Sequence, residues 1–490
     1  MNPKIDTYYT KSFKQFIFVL ISCLLVGHLV IQLFFPNFLI NLFGFFLLFY
    51  FLYYQALLKD YFVFILCIYG LSYFQYANAQ GGIFNLLSFF IIMAHMFFKK
   101  NFYLIKNPER SINFLLIIII VSHFIGLVLK NHASVDQKLL GTLSLLGYIL
   151  IFNFISRLDI TAGRIKLFII VTSLLLGYSL LVSINKFFMF YDSSSPMLGG
   201  EGRFGSRNLA GTLGPSPIYG ELGLLILIFL IPFIFSNTTQ QAFKIKIRSI
   251  SIAVILALLT ILMAASRSTI ILVVISFVIY LIVSNFIFLK RMSRVILNFI
   301  IIITISAAFV IIAPSLNLYY VFERFELINP NEINIETVIS GEGINRTTAF
   351  EVGRTMIKRE SWLVGYGWGT VKENRIAWFG NEDILRSDPH SIYFSLPMLF
   401  GWPGSIAFIL IFLLIIYRLF KLCFIHPKKL KEFILPCLGI AFLLLFFLIN
   451  EYKITALSSP HYFMIVWIWL GMGNSYIVKY SGYKAYIKLK

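Results

Sequence analysis

Apolar runs of 16–25 residues recur along nearly the whole chain, separated by short clusters of charge. Such runs leave few folding options. In hydrocarbon every backbone N–H and C=O must be satisfied internally, and a helix is the structure that does so within one segment. Fourteen candidate spans can be placed, at 16–35, 38–57, 61–76, 83–98, 113–130, 139–155, 166–185, 217–236, 249–264, 267–288, 295–313, 393–417, 433–449 and 461–478. Several are shorter than the ~20 residues that cross a bilayer upright; 61–76 and the tight pair 249–264/267–288 are the weakest. The expected fold is an all-α polytopic membrane protein with 12–14 transmembrane helices. A composition of 59% hydrophobic and 13% charged residues excludes an ordinary water-soluble domain.

Lysine and arginine set the orientation. With the N-terminus inside and strict alternation, the inner segments hold 26 of the 41 basic residues and 5 of the 21 acidic ones. The inner face then carries +21 and the outer face −1, which accounts for the net charge of +20. The basic excess is thus explained by topology, and nucleic-acid binding is not needed for it. Both termini are expected to be cytoplasmic.

The chain divides into N-terminal helices (1–185), a first outer loop (186–216), central helices (217–313), a large outer loop (314–392) and C-terminal helices (393–490). The large loop carries 8 basic and 11 acidic side chains and is too long to be structureless, so short helices are expected within it. One such pattern is RTTAFEVGRTMIKRE, 346–360, which ends before the glycines of GYGWG. No internal repeat is evident, which weakens a transporter built on paired halves. The first span has a Lys-containing leader without a small-residue cleavage site and reads as an uncleaved anchor. Cys23, Cys67 and Cys437 fall within spans and Cys423 on the inner side, so neither an exported disulfide nor a metal spacing is indicated.

The outer edges hold the chemistry. In RSDPHSIYFSLP, Asp388 reads as an N-cap and Pro389 as a first-turn residue, placing His390 beside unpaired backbone N–H groups and the positive end of a helix. That field disfavours imidazolium, keeps the ring able to accept a proton, and attracts an anion such as a diphosphate. Arg203, Arg207, Arg267 and Arg346 lie on the same side next to apolar spans. The plainer alternatives are that Arg267 snorkels to headgroups, that Arg203 and Arg207 are solvated loop charges, and that His390 packs on Tyr393. Glu221 lies one turn into its span; intramembrane acids are usually paired or functional, and an arginine is its simplest partner. Gly365, Gly367 and Gly369 read as turn glycines, because no βαβ unit is present to make them a nucleotide fingerprint.

Arg346, GYGWG at 365–369, His390-Ser-Ile-Tyr393 and Gly401-Trp-Pro-Gly404 together resemble the shared core of the bacterial O-antigen ligase and O-antigen polymerase superfamily. AASRST around Arg267 is similar to that family's Ser-Arg motif, and RNLAGTLGPSP to its preceding arginine motif, with Arg207 rather than Arg203 as the better match. The resemblance covers roughly 200–420. Ser391 stands where Asn is common, and RNLAGT has one residue more than the expected spacing.

The resemblance implies a GT-C-like, metal-independent, inverting glycosyltransferase without cofactor in the bacterial plasma (inner) membrane. It would use undecaprenyl-diphosphate-linked glycan on the extracytoplasmic side. In that picture His390, Arg346, Arg207 and Arg267 are catalytic, while Arg203, Glu221, Tyr393, Gly365 and Gly367 contact substrate. A polymerase that joins lipid-linked repeat units is the first expectation, with a flippase and a chain-length regulator as partners besides the bilayer. The alternative is a ligase that transfers glycan to lipid A core or to protein. A lipid-glycan flippase is the remote alternative, since it calls for charges along a central path and nearly all charges here lie in loops.

Overall fold

The computed structural model describes residues 110–158, 160–189, 216–234, 247–263, 267–288, 354, 362–369, 391–425, 434–451 and 460–481. All lie in the larger of two compact units, Gln75–Lys490; the smaller is Met1–Phe74. The spans expected at 16–35, 38–57, 61–76, 83–98 and 295–313 lie outside the described residues, as does 190–215 of the first outer loop, whose expected first residues, 186–189, instead continue a helix. So does most of 314–392, Arg354, 362–369 and the last two residues excepted.

Among the described residues there are nine long helices and no strand. They are α1 (Arg110–Leu129), α2 (Val135–Ile155), α3 (Ala162–Met189), α4 (Ser216–Ile234), α5 (Ile247–Met263), α6 (Arg267–Phe288), α7 (Ile392–Ile425), α8 (Ile434–Asn450) and α9 (Pro460–Ser481). α1, α2 and Ile392–Phe424 of α7 are long and apolar enough to cross a membrane. Among the described residues the protein is all-helical and polytopic, as its hydropathy requires; the expectation of 12–14 spans concerns residues outside the description as well.

Local sequence accounts for the helix ends. Ser134 and Gln137 form a capping box at the start of α2, each side chain bonding the other's backbone N–H. α9 opens on Pro460, where the missing N–H costs nothing. α1 buries Ile112, Leu115, Leu116, Ile119, His123 and Gly126. It exposes Phe114, Ile117, Val121 and Val128, so both faces are apolar and only shape separates protein-facing from lipid-facing positions. α7 exposes a comparable stripe of Trp402, Ile406, Leu410, Leu413 and Tyr417. α8 and α9 are buried almost all round and form the centre, with α8 against α4 and α7, and α9 against α2 and α7.

Specific contacts sort the helix ends into two sets. At one end Arg418 of α7 donates to Ser111 of α1, Cys423 of α7 meets the carbonyl of Ile434 in α8, and Ser475 of α9 bonds the carbonyl of Leu158 after α2. At the other end Asn131, between α1 and α2, donates to the Tyr366 carbonyl, and the Ile392 amide donates to the Glu451 carbonyl. This alternation is the one that the hydropathy demands. α7 nevertheless runs to Ile425 rather than stopping at 417, so Cys423 is a buried helix residue and not part of an inner loop.

α7 is broken near its start. Gly401 adopts φ 65°, ψ 178°, a backbone open to glycine and poor for any L side chain. Pro403 has no N–H to offer the Leu399 carbonyl, and the turn at Gly401 swings the Trp402 amide away from the Met398 carbonyl. Two carbonyls are thereby freed inside the bundle, where unmet polar groups are costly. Both are met by the 362–369 loop: Tyr366 N–H bonds Met398 O at 2.6 Å and Gly367 N–H bonds Leu399 O at 2.9 Å. In return Trp402 N–H bonds Trp362 O at 2.7 Å. The break in α7 and the loop complete one another.

Candidate functional site

The glycines of GYGWG are there because the loop lies against three helix backbones. A Cβ on Gly126 of α1 would stand 2.6 Å from the Gly365 carbonyl oxygen. Gly141 of α2 is crossed as closely by the Trp368 carbonyl, and Gly365 itself rests on the Leu399–Phe400 peptide. Gly367 (φ 96°) and Gly369 (φ 78°) turn the chain in the left-handed region. Trp368 is held between Phe400 and Phe463, stacked on both with ring centroids 5.8 and 5.2 Å away, and meets Tyr148 edge-on. The expected turn role of Gly365 and Gly367 is therefore a packing role in detail, with Gly365 fully enclosed.

α7 itself opens at Ile392, with the Ser391 carbonyl accepting from Ser395 at 3.0 Å. The helix thus begins later than the Asp388-Pro389 pair implies. Asp388, Pro389 and His390 lie outside the described residues, and Ser391 is the residue bonded to His390. The first α7 amide, that of Ile392, is taken by the Glu451 carbonyl at 2.9 Å, and Tyr393 Oη donates to the Leu448 carbonyl at 2.8 Å. Two bonds therefore fasten the start of α7 to the end of α8.

A buried polar cluster surrounds this junction. Glu221 of α4 and Glu451 after α8 are both fully enclosed. The Tyr462 hydroxyl, at the start of α9, lies beside the Glu221 carboxylate and also feels Glu451 through space, as does the hydroxyl of Tyr393. Ser391 Oγ and the side-chain amide of Asn450, both buried, find no hydrogen-bond partner among the described residues. An unmet buried polar group costs about 1–3 kcal/mol, so a cluster of this kind marks a place where further polar groups converge. Among the described residues no group of three or more His, Cys, Asp or Glu side chains is arranged to hold a metal ion.

Arg267 is the first residue of α6, and helix packing brings it to the same end. A Cβ on Gly223, near the start of α4, would meet Ala257 O at 2.9 Å and Ile261 Cγ1 at 3.1 Å, so the start of α4 lies on the end of α5. α5 ends at Met263, four residues before Arg267. α6 also packs on α8, where Tyr280 meets Phe442. At 1.5 Å per residue, Arg267 stands ~20 Å and Glu451 ~14 Å beyond that contact toward the same end. The Arg267 side chain, and Arg203, Arg207, Arg346 and His390 entirely, lie outside the described residues.

Of the sequence-derived set, Glu221, Tyr393 and the Arg267 backbone therefore converge at one end of the bundle, and Gly365 and Gly367 pack against α1 and α7 a turn or two deeper. Sequence reading passed over Glu451, Tyr462, Asn450 and His123. The signal for Glu451 was the same as for Glu221, a lone acid at the end of an apolar run. His123 is a lone histidine in the middle of an apolar span.

Residues 252–409 match the family model described as O-antigen ligase. No curated protein matches the chain. The matched stretch begins in α5, includes α6, the large loop and the break in α7, and so contains Arg267, Arg346, Gly365, Gly367, His390 and Tyr393; Arg203, Arg207 and Glu221 precede it. Over this stretch, about a third of its 490 residues, the chain is similar to the O-antigen ligase family.

Proposed function

We propose that the protein is a polymerase that joins undecaprenyl-diphosphate-linked repeat units at the extracytoplasmic face of the plasma membrane. The observation that carries this reading is the gathering of four helix ends, those of α4, α6, α7 and α8, around enclosed Glu221 and Glu451, with His390 two residues before the first residue of α7 in the chain. Charge distribution supports the placement. Arg110, Arg157, Arg164, Lys166, Arg418 and Lys479 lie at the opposite end of the bundle, the end that positive-inside topology puts in the cytoplasm.

In this mechanism the hydroxyl of an acceptor sugar attacks the anomeric carbon of the donor. The new C–O bond forms as the bond to the diphosphate oxygen breaks, with inversion at that carbon. The hydroxyl proton passes to His390, a step contributing about 10²–10⁴-fold. The electron pair leaves with the lipid diphosphate, whose growing charge is met by Arg207, Arg267 and Arg346. Guanidinium suits this role because it stays charged and binds phosphate oxygens bidentately. Loss of one such contact costs on the order of 2–4 kcal/mol in the barrier. Arg203 extends the cationic edge, and Glu221 and Tyr393 set the floor of the site.

A ligase reading shares this chemistry and differs only in acceptor, and the family match fits both. Glycan ladders separate the two. Deletion of a polymerase leaves a single repeat on the core, whereas deletion of a ligase leaves bare core with lipid-linked polymer accumulating. His390→Ala and Arg346→Ala are each expected to abolish the product while the protein inserts at normal levels. Retained product in either variant removes that residue from the mechanism.

A further inference from the structure

The geometry points to His123 as a positioning residue that latches the 362–369 loop into the broken helix and so anchors one end of each of the two chain stretches that carry Arg346 and His390. His123 lies within α1, enclosed. Its Nδ1 accepts the Trp368 amide at 2.9 Å, and its Nε2 lies 2.9 Å from Thr142 Oγ1. Thr142 spends its own hydrogen on the Lys138 carbonyl at 2.8 Å, so its oxygen accepts from Nε2. This chain of bonds fixes a single neutral tautomer, with the lone pair of Nδ1 aimed at the loop. An imidazole held in this way serves the Trp368 N–H, for which His123 is the acceptor found among the described residues.

Around that bond the loop is fixed from every side. Asn131 Nδ2 donates to Tyr366 O at 2.6 Å, while Asn131 Oδ1 caps Ala133 N–H at 2.8 Å and its carbonyl receives Lys138 Nζ at 2.8 Å. Lys130 Nζ stands 5.3 Å from the Trp362 ring centroid. α1 and α2 thus grip the loop through side chains, and α7 grips it through backbone. The loop lies about two thirds of the way along the 314–392 segment, with 48 residues before it and 23 after. Pinning it divides one long connection into two shorter ones, the first carrying Arg346 and the second carrying His390.

The proposal rests on the functional reading above for its catalytic consequence, but the latch itself can be read without activity. The experiment uses the full-length protein in lipid nanodiscs, with hydrogen exchange of the 362–369 backbone and turnover of lipid-diphosphate-linked glycan measured in parallel. In the native protein the amides of Tyr366, Gly367 and Trp368 exchange slowly. In His123→Ala the Trp368 amide loses its acceptor, and exchange of this peptide rises between about fivefold and about a hundredfold. kcat falls at least about fivefold with KM little changed, because substrate contacts remain and their alignment is lost. His123→Asn places an acceptor oxygen where Nδ1 stands and restores both slow exchange and kcat; a merely space-filling role for His123 gives no such rescue. Unchanged exchange in α8 and α9 shows that the variant is folded. Unchanged loop exchange in His123→Ala overturns the latch. Faster loop exchange with full kcat overturns its positioning role. Full activity in His390→Ala removes the functional reading and leaves the latch to stand or fall on exchange alone.

Discussion

Gly401→Ala is the sharpest test of how the loop and α7 hold one another. Two costs can be worked from the structure. At φ 65° a residue with a Cβ is disfavoured by about 1–2 kcal/mol. The added methyl would also stand 2.7 Å from the Leu363 carbonyl carbon and 3.0 Å from Val364 Cα, both backbone atoms that cannot rotate aside. Relief requires the loop to withdraw, which breaks the Tyr366–Met398, Gly367–Leu399 and Trp402–Trp362 backbone bonds. Each is worth about 0.5–1.5 kcal/mol net. The combined effect is about 3–6 kcal/mol on seating of the loop. Gly163→Ala serves as the control. It lies at the start of α3, where a Cβ meets nothing closer than Thr161 Oγ1 at 3.9 Å, and alanine there is neutral or stabilising by up to about 1 kcal/mol. The assay is limited proteolysis and hydrogen exchange of the 362–369 segment in nanodiscs, with glycan transfer measured on the same samples. Equal loop protection in Gly401→Ala and Gly163→Ala would refute the argument that the broken helix and the loop are mutually required.

Other expectations concern the polar junction. Glu221→Gln and Glu451→Gln keep side-chain shape and remove charge, so each should insert and fold yet lose at least about tenfold in transfer if the carboxylates orient the arginines; wild-type turnover in both sinks that role. Glu451→Ala should leave the Ile392–Glu451 backbone bond intact, so hydrogen exchange at the start of α7 should change less than activity does. Tyr393→Phe removes the bond to the Leu448 carbonyl and should loosen the α7–α8 junction by about 0.5–1.5 kcal/mol, read as faster exchange of the first α7 turn. Arg346→Lys should be nearly as damaging as Arg346→Ala, because an ammonium does not reproduce a bidentate contact; near-normal product length would argue against that geometry.

Hydropathy made the helices legible because lipid imposes one solution on a long apolar run, and the alternation of helix ends followed from charge. Boundaries were less legible. Asp388-Pro389 has the composition of a helix start, yet α7 opens at Ile392 because its first amide is satisfied by the Glu451 carbonyl, a tertiary partner that local sequence does not reveal. Likewise 393–417 looked complete, while α7 continues to Ile425 because Arg418 and Cys423 find partners on α1 and α8. Glu221 stood out as a lone charge in hydrocarbon. Its companions Glu451 and Tyr462 sit some 230 residues further along, and only packing brings them beside it. The glycines of GYGWG were readable as turns, but their contacts with Gly126 and Gly141 depend on three helices meeting.

The shared hydrogen bonds between the loop and α7 also bear on how this chain is made. The carbonyls of Met398 and Leu399 emerge from the ribosome after the loop that satisfies them, and the groove between α1 and α2 is built well before either. A nascent chain halted near residue 390 contains the loop but not yet the Met398 and Leu399 carbonyls that receive it. Closure waits for α7 to enter, bend at Gly401 and draw the segment in from the aqueous side. Full seating of the loop is therefore expected only once α7 is in place, and lesions at the bend are expected to surface first as nascent chains retained by the insertion machinery.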